Sequence, residues 1–183
     1  MMRRSLTMLL ACVLAGCGKR DAGAPAATTA ETFKAPAIGD VAPVFAVATI
    51  GGDSARIGGT ARQPVTLVNV WATWCGPCKA EFPELQTLHT TYAPRGLRVL
   101  AISIDTEADD VVTASARSMG ATFTIGRDAA DEVRGKFAAV GIPESWLISA
   151  DGKLLWKHSG AIPAGDAGVR AAIDGALAAA GGL

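Results

Sequence analysis

Apolar positions along this chain fall into two kinds of run. Val65–Trp71 (VTLVNVW) and residues 97–104 (LRVLAISI) are almost continuously apolar and short. That is the signature of strands whose sheet is covered on both faces. Between them Phe82, Leu85 and Leu88 recur at a spacing of three, which lines one face of a helix over residues 77–92. Pro83 falls inside it and should bend it, because proline lacks a backbone donor and crowds the preceding turn. Residues 44–50 alternate weakly, then Gly51-Gly52-Asp53 signals a turn, and Ser54–Ile57 can return as the second strand of a hairpin. Further on, the pattern predicts helices at 108–119 and at 129–140, the second closed by Gly141, with a short strand at 122–125 between them. Strands at 144–149 and 154–158 flank Asp151-Gly152, a strong hairpin turn signal, and an alanine-rich helix at 166–180 closes the chain. Strand, helix, strand, helix, then a hairpin and a last helix imply an α/β fold: a central mixed β-sheet with helices on both faces.

The first forty residues lie outside this pattern. Arg3 and Arg4 form a basic start, and residues 6–14 an apolar stretch too short to span a bilayer. Leu14-Ala15-Gly16-Cys17 supplies the small residues of a cleavage site. It resembles a bacterial lipobox, which implies a signal peptide at 1–16 and a lipid on Cys17; the alternative is an ordinary secretory signal that contains a cysteine. Residues 17–40, rich in Ala, Thr, Gly and Pro, read as a tether with a reach of roughly 25 Å. The folded domain is expected at 41–183. With 183 residues, half of them hydrophobic, the chain can build one domain with a real core. Its formal net charge of zero gives no footing for nucleic acid.

Cysteine usage changes the picture most. Of four cysteines, Cys12 lies in the signal and Cys17 at its end, so the domain holds only Cys75 and Cys78. One close-spaced pair in an exported chain is not a disulfide framework, which closes long loops. Cys75-Gly76-Pro77-Cys78 sits where the first buried strand gives way to a helix. There the unpaired N–H groups and positive dipole of a helix N-terminus favour a thiolate, the attacking species in disulfide exchange. Cys75, just ahead of the helix, should be exposed and act as the nucleophile. Cys78, in the first turn, should be more buried and resolve the mixed disulfide.

The run Trp71-Ala72-Thr73-Trp74-Cys75-Gly76-Pro77-Cys78, with Lys79-Ala80-Glu81-Phe82-Pro83 after it and Val140-Gly141-Ile142-Pro143 later, resembles the thioredoxin superfamily. More narrowly it is similar to the membrane-anchored TlpA/ResA-like (redoxin-type) thiol-disulfide oxidoreductases of the bacterial envelope, over about residues 41–183. The resemblance implies a thioredoxin fold with an N-terminal hairpin and a helix-and-strand insertion near 106–125. It implies that Pro143 is a cis-proline facing the dithiol and that Ile142 offers its backbone to a substrate strand. It further implies disulfide-containing envelope proteins as substrates, apocytochrome c among them, and a membrane electron donor as the other partner. Trp74 is expected to shape the docking surface, and Trp71, Trp146 and Trp156 to be core or groove wall. Asn69 stands where thioredoxin has a buried aspartate, and an amide cannot take the resolving cysteine's proton. Glu81, three residues after Cys78 and so on the same helix face, can; the alternative is a solvated carboxylate. No cofactor or metal is expected, since His89 and His158 share no ligand spacing and no second C-x-x-C exists. Two other activities compete: a peroxiredoxin-like thiol peroxidase, although Thr73 stands two residues before Cys75 where that family has it three before, and a copper-binding envelope lipoprotein using both sulfurs as soft ligands.

Overall fold

The computed structural model describes residues 34–181; the expected signal peptide at 1–16, Cys17 and most of the expected tether lie outside the described residues. The elements are β1 (Phe45–Thr49), β2 (Ser54–Ile57), β3 (Val65–Trp71), α1 (Gly76–Tyr92), β4 (Leu97–Ser103), α2 (Asp109–Ser118), β5 (Thr124–Arg127), α3 (Glu132–Phe137), β6 (Glu144–Ile148), β7 (Leu154–Ser159) and α4 (Ala167–Gly181), with a short 3-10 turn at Ala93–Arg95. The seven strands form one sheet in the order β2-β1-β5-β4-β3-β6-β7. β3, β4 and β5 are mutually parallel, while β1, β6 and β7 pair antiparallel to their neighbours.

All seven residues of β3 are buried. Because successive side chains of a strand point to opposite faces, this requires cover on both sides of the sheet, as the continuous apolar run predicts. On one side Trp71 packs edge-on against Phe82 of α1, with ring centroids 4.6 Å apart, and Phe82 reaches Phe123. Trp146 of β6 meets Phe137 of α3 at 4.9 Å. Trp71 and Trp146 are core; Trp156 is half-buried. α1 runs unbroken through Pro83, which lies on its exposed face, while Phe82, Leu85 and Leu88 are fully buried.

Two elements differ from expectation. β5 begins at Thr124 rather than at 122 because Thr122 is held by α1: its N–H donates to Gln86 Oε1 and its hydroxyl accepts from Gln86 Nε2, both at 2.9 Å. α3 spans six residues, not the twelve of 129–140, because Asp131 and Ala138 at its ends take positive φ angles of 56° and 52°. Asp128 accepts the Val133 N–H at 2.8 Å and closes the entry to the helix.

The domain also begins earlier than residue 41. Gly39 N–H donates to the Leu154 carbonyl, Leu154 N–H to Asp40, and Ala42 N–H to Gly152, so residues 39–42 lie along the β6–β7 turn. That turn packs with no room to spare. Gly152 has φ +83°, and a Cβ there would fall 1.6 Å from the Gly59 carbonyl oxygen. Gly152→Ala should therefore cost at least about 2 kcal/mol, combining the left-handed backbone with a clash against rigid main chain. Urea unfolding of the variant reads this directly; an unchanged midpoint would show that the junction yields.

Candidate active site

β3 and β4 end side by side, with Trp71 opposite Ser103, and β6 starts beside them, with Glu144 opposite Val70. The loops leaving these strand ends therefore meet at one pole of the sheet, the side on which open α/β sheets hold their ligands. After β3 the chain makes a turn, closed by Cys75 N–H donating to the Ala72 carbonyl at 3.1 Å. α1 then starts, and Cys75 is its N-cap: extended backbone, with Sγ accepting the Cys78 N–H at 3.2 Å. Proline occupies the first turn, where its missing donor costs nothing. No acidic residue lies in that turn, so nothing offsets the positive end of the helix dipole at the sulfur.

Cys75 and Cys78 are joined by a disulfide, with their Cα atoms 5.3 Å apart. Both are buried, at 6% and 0% exposure. The expected exposure of Cys75 is thus not found in this oxidised state: its sulfur is turned inward onto Cys78 and the helix N–H groups. The expected ranking, with Cys75 the more accessible of the two, holds. Trp74 beside it is 68% exposed.

Glu81 is buried, at 1% exposure, not a solvated helix carboxylate. Oε1 accepts from Asn69 Nδ2 at 2.7 Å, and Oε2 from the Ile162 N–H at 2.9 Å. Asn69 Nδ2 also donates to Ser145 Oγ at 3.0 Å. Asn69 thus acts as a hydrogen-bond donor to the carboxylate one helix turn beyond Cys78. Burial pushes the Glu81 carboxyl up to about 7, against the pull of its two N–H partners.

The Ile142–Pro143 bond is cis, and Pro143 enters β6 at the dithiol's end of the sheet. Three nearby residues were not anticipated. Glu144, directly after Pro143, is buried; it accepts the Val140 N–H at 3.2 Å and pairs with Lys157 Nζ at 2.6 Å, tying down the loop that carries Ile142 and Pro143. Val140 in that loop is 89% exposed. Asp105, just past β4, is buried and accepts both the backbone N–H and the hydroxyl of Thr73. A charged residue inside or ending an apolar run is the signal that marks Glu144 and Asp105 in the sequence. His158 stacks on Trp156, and His89 lies edge-on to Phe123; among the described residues no group of three or more His, Cys, Asp or Glu is arranged to hold a metal ion.

A helix-capping dithiol, a cis-proline and a buried carboxylate gathered at the strand ends of a mixed sheet define a thioredoxin-fold disulfide-exchange site. The sequence model of the AhpC/TSA family matches residues 38–157, and the chain belongs to that family. It is 31% identical over 118 residues to thiol-disulfide oxidoreductase ResA of Bacillus anthracis, covering 64% of this chain and 67% of the relative. With ResA of Geobacillus thermodenitrificans it shares 32% over 120 residues, 66% of this chain and 68% of the relative. A crystal structure of a putative thiol:disulfide interchange protein DsbE from Chlorobium tepidum superposes with a TM-score of 0.70 at 29% identity, covering 78% of this chain and 99% of that one. The fold is the thioredoxin fold, and the chain is a thiol-disulfide oxidoreductase whose redox pair is Cys75 and Cys78.

The shifted Glu81 carboxyl makes a testable link between pH and stability. In the unfolded chain a glutamate ionises near 4.5, while here it does so at about 7. Between those values the folded chain holds a proton that the unfolded chain has lost. Stability from this group is therefore full below about 4.5 and falls as pH rises through about 7, by on the order of 3 kcal/mol. Urea unfolding at pH 5 and pH 8 should show this loss in the wild type and a flatter profile in Glu81→Gln. Equal slopes would assign the effect elsewhere.

Proposed function

We propose that this chain is a lipid-anchored reductant of protein disulfides on the outer side of a bacterial cytoplasmic barrier, with cytochrome c maturation as its leading pathway. The observation that carries the exchange chemistry is the Cys75–Cys78 disulfide at the N-cap of α1 with a buried carboxylate one turn away. The lipobox-like Leu14-Ala15-Gly16-Cys17 supports the anchor and the location. The names of the ResA and DsbE relatives support protein disulfides as substrates.

In the forward reaction Cys75, as thiolate, attacks one sulfur of a substrate disulfide. A Cys75–substrate disulfide forms, and the substrate's other sulfur leaves as thiolate. Glu81 takes the proton of Cys78, which attacks Cys75 Sγ and expels the second substrate thiolate. The substrate gains two electrons and, from solvent and Glu81, two protons; the enzyme is left with the bridge seen in this structure. A membrane electron donor must then return two electrons to it. Trp74 and Val140 offer exposed apolar contact, and the Ile142 backbone ahead of cis-Pro143 offers main-chain pairing to an extended substrate segment. Thr73 supports exchange over peroxide reduction: its hydroxyl donates to Asp105 at 2.6 Å and is committed there.

Cys78→Ala should accumulate mixed disulfides on Cys75 in cells, with apocytochromes among the trapped proteins, and Cys75→Ala should trap none. Recovery of a broad set of envelope proteins without apocytochromes would point to a general reductase instead. The direction is read separately from the reduction potential. A reductant should lie nearer thioredoxin, about −270 mV, than a strong oxidant such as DsbA, about −120 mV; Gly76-Pro77 between the cysteines, resembling reducing thioredoxins, supports the former.

A further inference from the structure

The turn that delivers Cys75 is held by a carboxylate that lies just past β4. Residues 72–74 bridge the end of β3 and the start of α1, and Thr73 at their centre points its donors toward Asp105. The Thr73 N–H reaches Oδ1 and Oδ2 at 3.1 and 2.9 Å, and the Thr73 hydroxyl reaches Oδ1 at 2.6 Å. Ser103 Oγ donates to Oδ2 at 2.7 Å. Four donor contacts thus converge on a side chain that is only 1% exposed.

The network continues away from the sulfurs. Ser103 Oγ accepts from Arg127 Nη1 at 2.9 Å, and Arg127 Nε donates to Asp109 at the start of α2 at 2.8 Å. Arg127 also donates to the Glu107 carbonyl. The α2–β5 insertion is therefore wired to the dithiol turn through Arg127, Ser103 and Asp105. A buried N–H with no acceptor costs free energy, so losing Asp105 would orphan Thr73 and Ser103 together and release the turn.

We propose that Asp105 is a positioning residue for the dithiol. It touches neither sulfur. By fixing Thr73 it fixes where Cys75 Sγ stands relative to Cys78, and with it the effective concentration at which the two sulfurs meet. A loosened turn lowers that concentration, destabilises the disulfide relative to the dithiol and makes the pair a stronger oxidant. The inference rests on Cys75–Cys78 being the redox pair. It does not depend on which cysteine attacks, on the role of Glu81 or on the substrate.

The test is the equilibrium constant of the pair against the glutathione couple, measured on full-length purified protein with thermal unfolding as a fold check. Asp105→Ala should move the equilibrium at least about tenfold toward the dithiol, which is about 30 mV for a two-electron couple. Thr73→Val keeps the charge of Asp105 but removes the hydroxyl; it should move the equilibrium the same way by at least about threefold. Thr73→Ser, which retains the hydroxyl, should restore most of that shift. Folded Asp105→Ala and Thr73→Val proteins with the wild-type equilibrium would overturn the proposal. So would a shift in Asp105→Ala with none in Thr73→Val, because the effect would then be the charge acting through space. Should Asp105→Ala fail to fold, the Thr73 pair decides alone. Trapping of substrates by Cys78→Ala is independent of this outcome, so the two readings fail separately.

Discussion

Helix α1 begins on a sulfur. The hydrogen bond from the Cys78 N–H to Cys75 Sγ makes the redox atom the N-cap of the helix, and the rest of the site is arranged to keep it there. The helix end supplies donors with no other partner and a positive partial charge, which match a sulfur that must turn negative to react. Holding that geometry requires a strand that cannot shift. β3 is buried along its whole length between β4 and β6, with a register fixed on both sides, so its last residue delivers the chain to one place.

The same pole concentrates buried polar groups that a fold built for stability alone would avoid. Glu81 sits in the core facing Asn69 and Ile162, and among the described residues Asn69 Oδ1 has no hydrogen-bond partner. Glu84, one turn further on, is buried against Arg170 and the Gly165 N–H. The two carboxylates of α1 thus clasp the segment between β7 and α4, Glu81 at Ile162 and Glu84 at Gly165. Glu84 has the Arg170 cation beside it, and among the described residues Glu81 has none. Desolvation by burial raises the Glu81 carboxyl to about 7, against the pull of the Ile162 and Asn69 N–H groups. A carboxyl raised to that range can exchange a proton under neutral conditions.

Much of this was legible in the chain because local chemistry carries it. The apolar run of β3, the Cys-x-x-Cys at a helix start, and Glu81 one turn past Cys78 are short-range patterns, and the structure keeps them. What escaped reading depends on register or on pairing at a distance. Asp105 meets Thr73 only because β3 and β4 run parallel with Trp71 opposite Ser103. The start of β5 is displaced by the bonds between Thr122 and Gln86, thirty-six residues apart in the chain. The short α3 follows from left-handed backbone at Asp131 and Ala138, positions where residue type alone gives little warning. Cys75 was expected to be open because it precedes the helix; its inward turn reflects the oxidised state, which composition does not encode.

The placement of residues 39–42 gives the domain a direction. They pair with Gly152 and Leu154 in the β6–β7 turn, and that turn lies beyond Ile148, which sits opposite Thr66 at the start of β3. Cys75 follows the opposite end of the same strand. Seven residues at about 3.3 Å each put roughly 20 Å of sheet between the two. Residues 39–42 therefore lie at the pole remote from the sulfurs. The face bearing Trp74, Val140 and the redox pair lies at the other pole of the sheet.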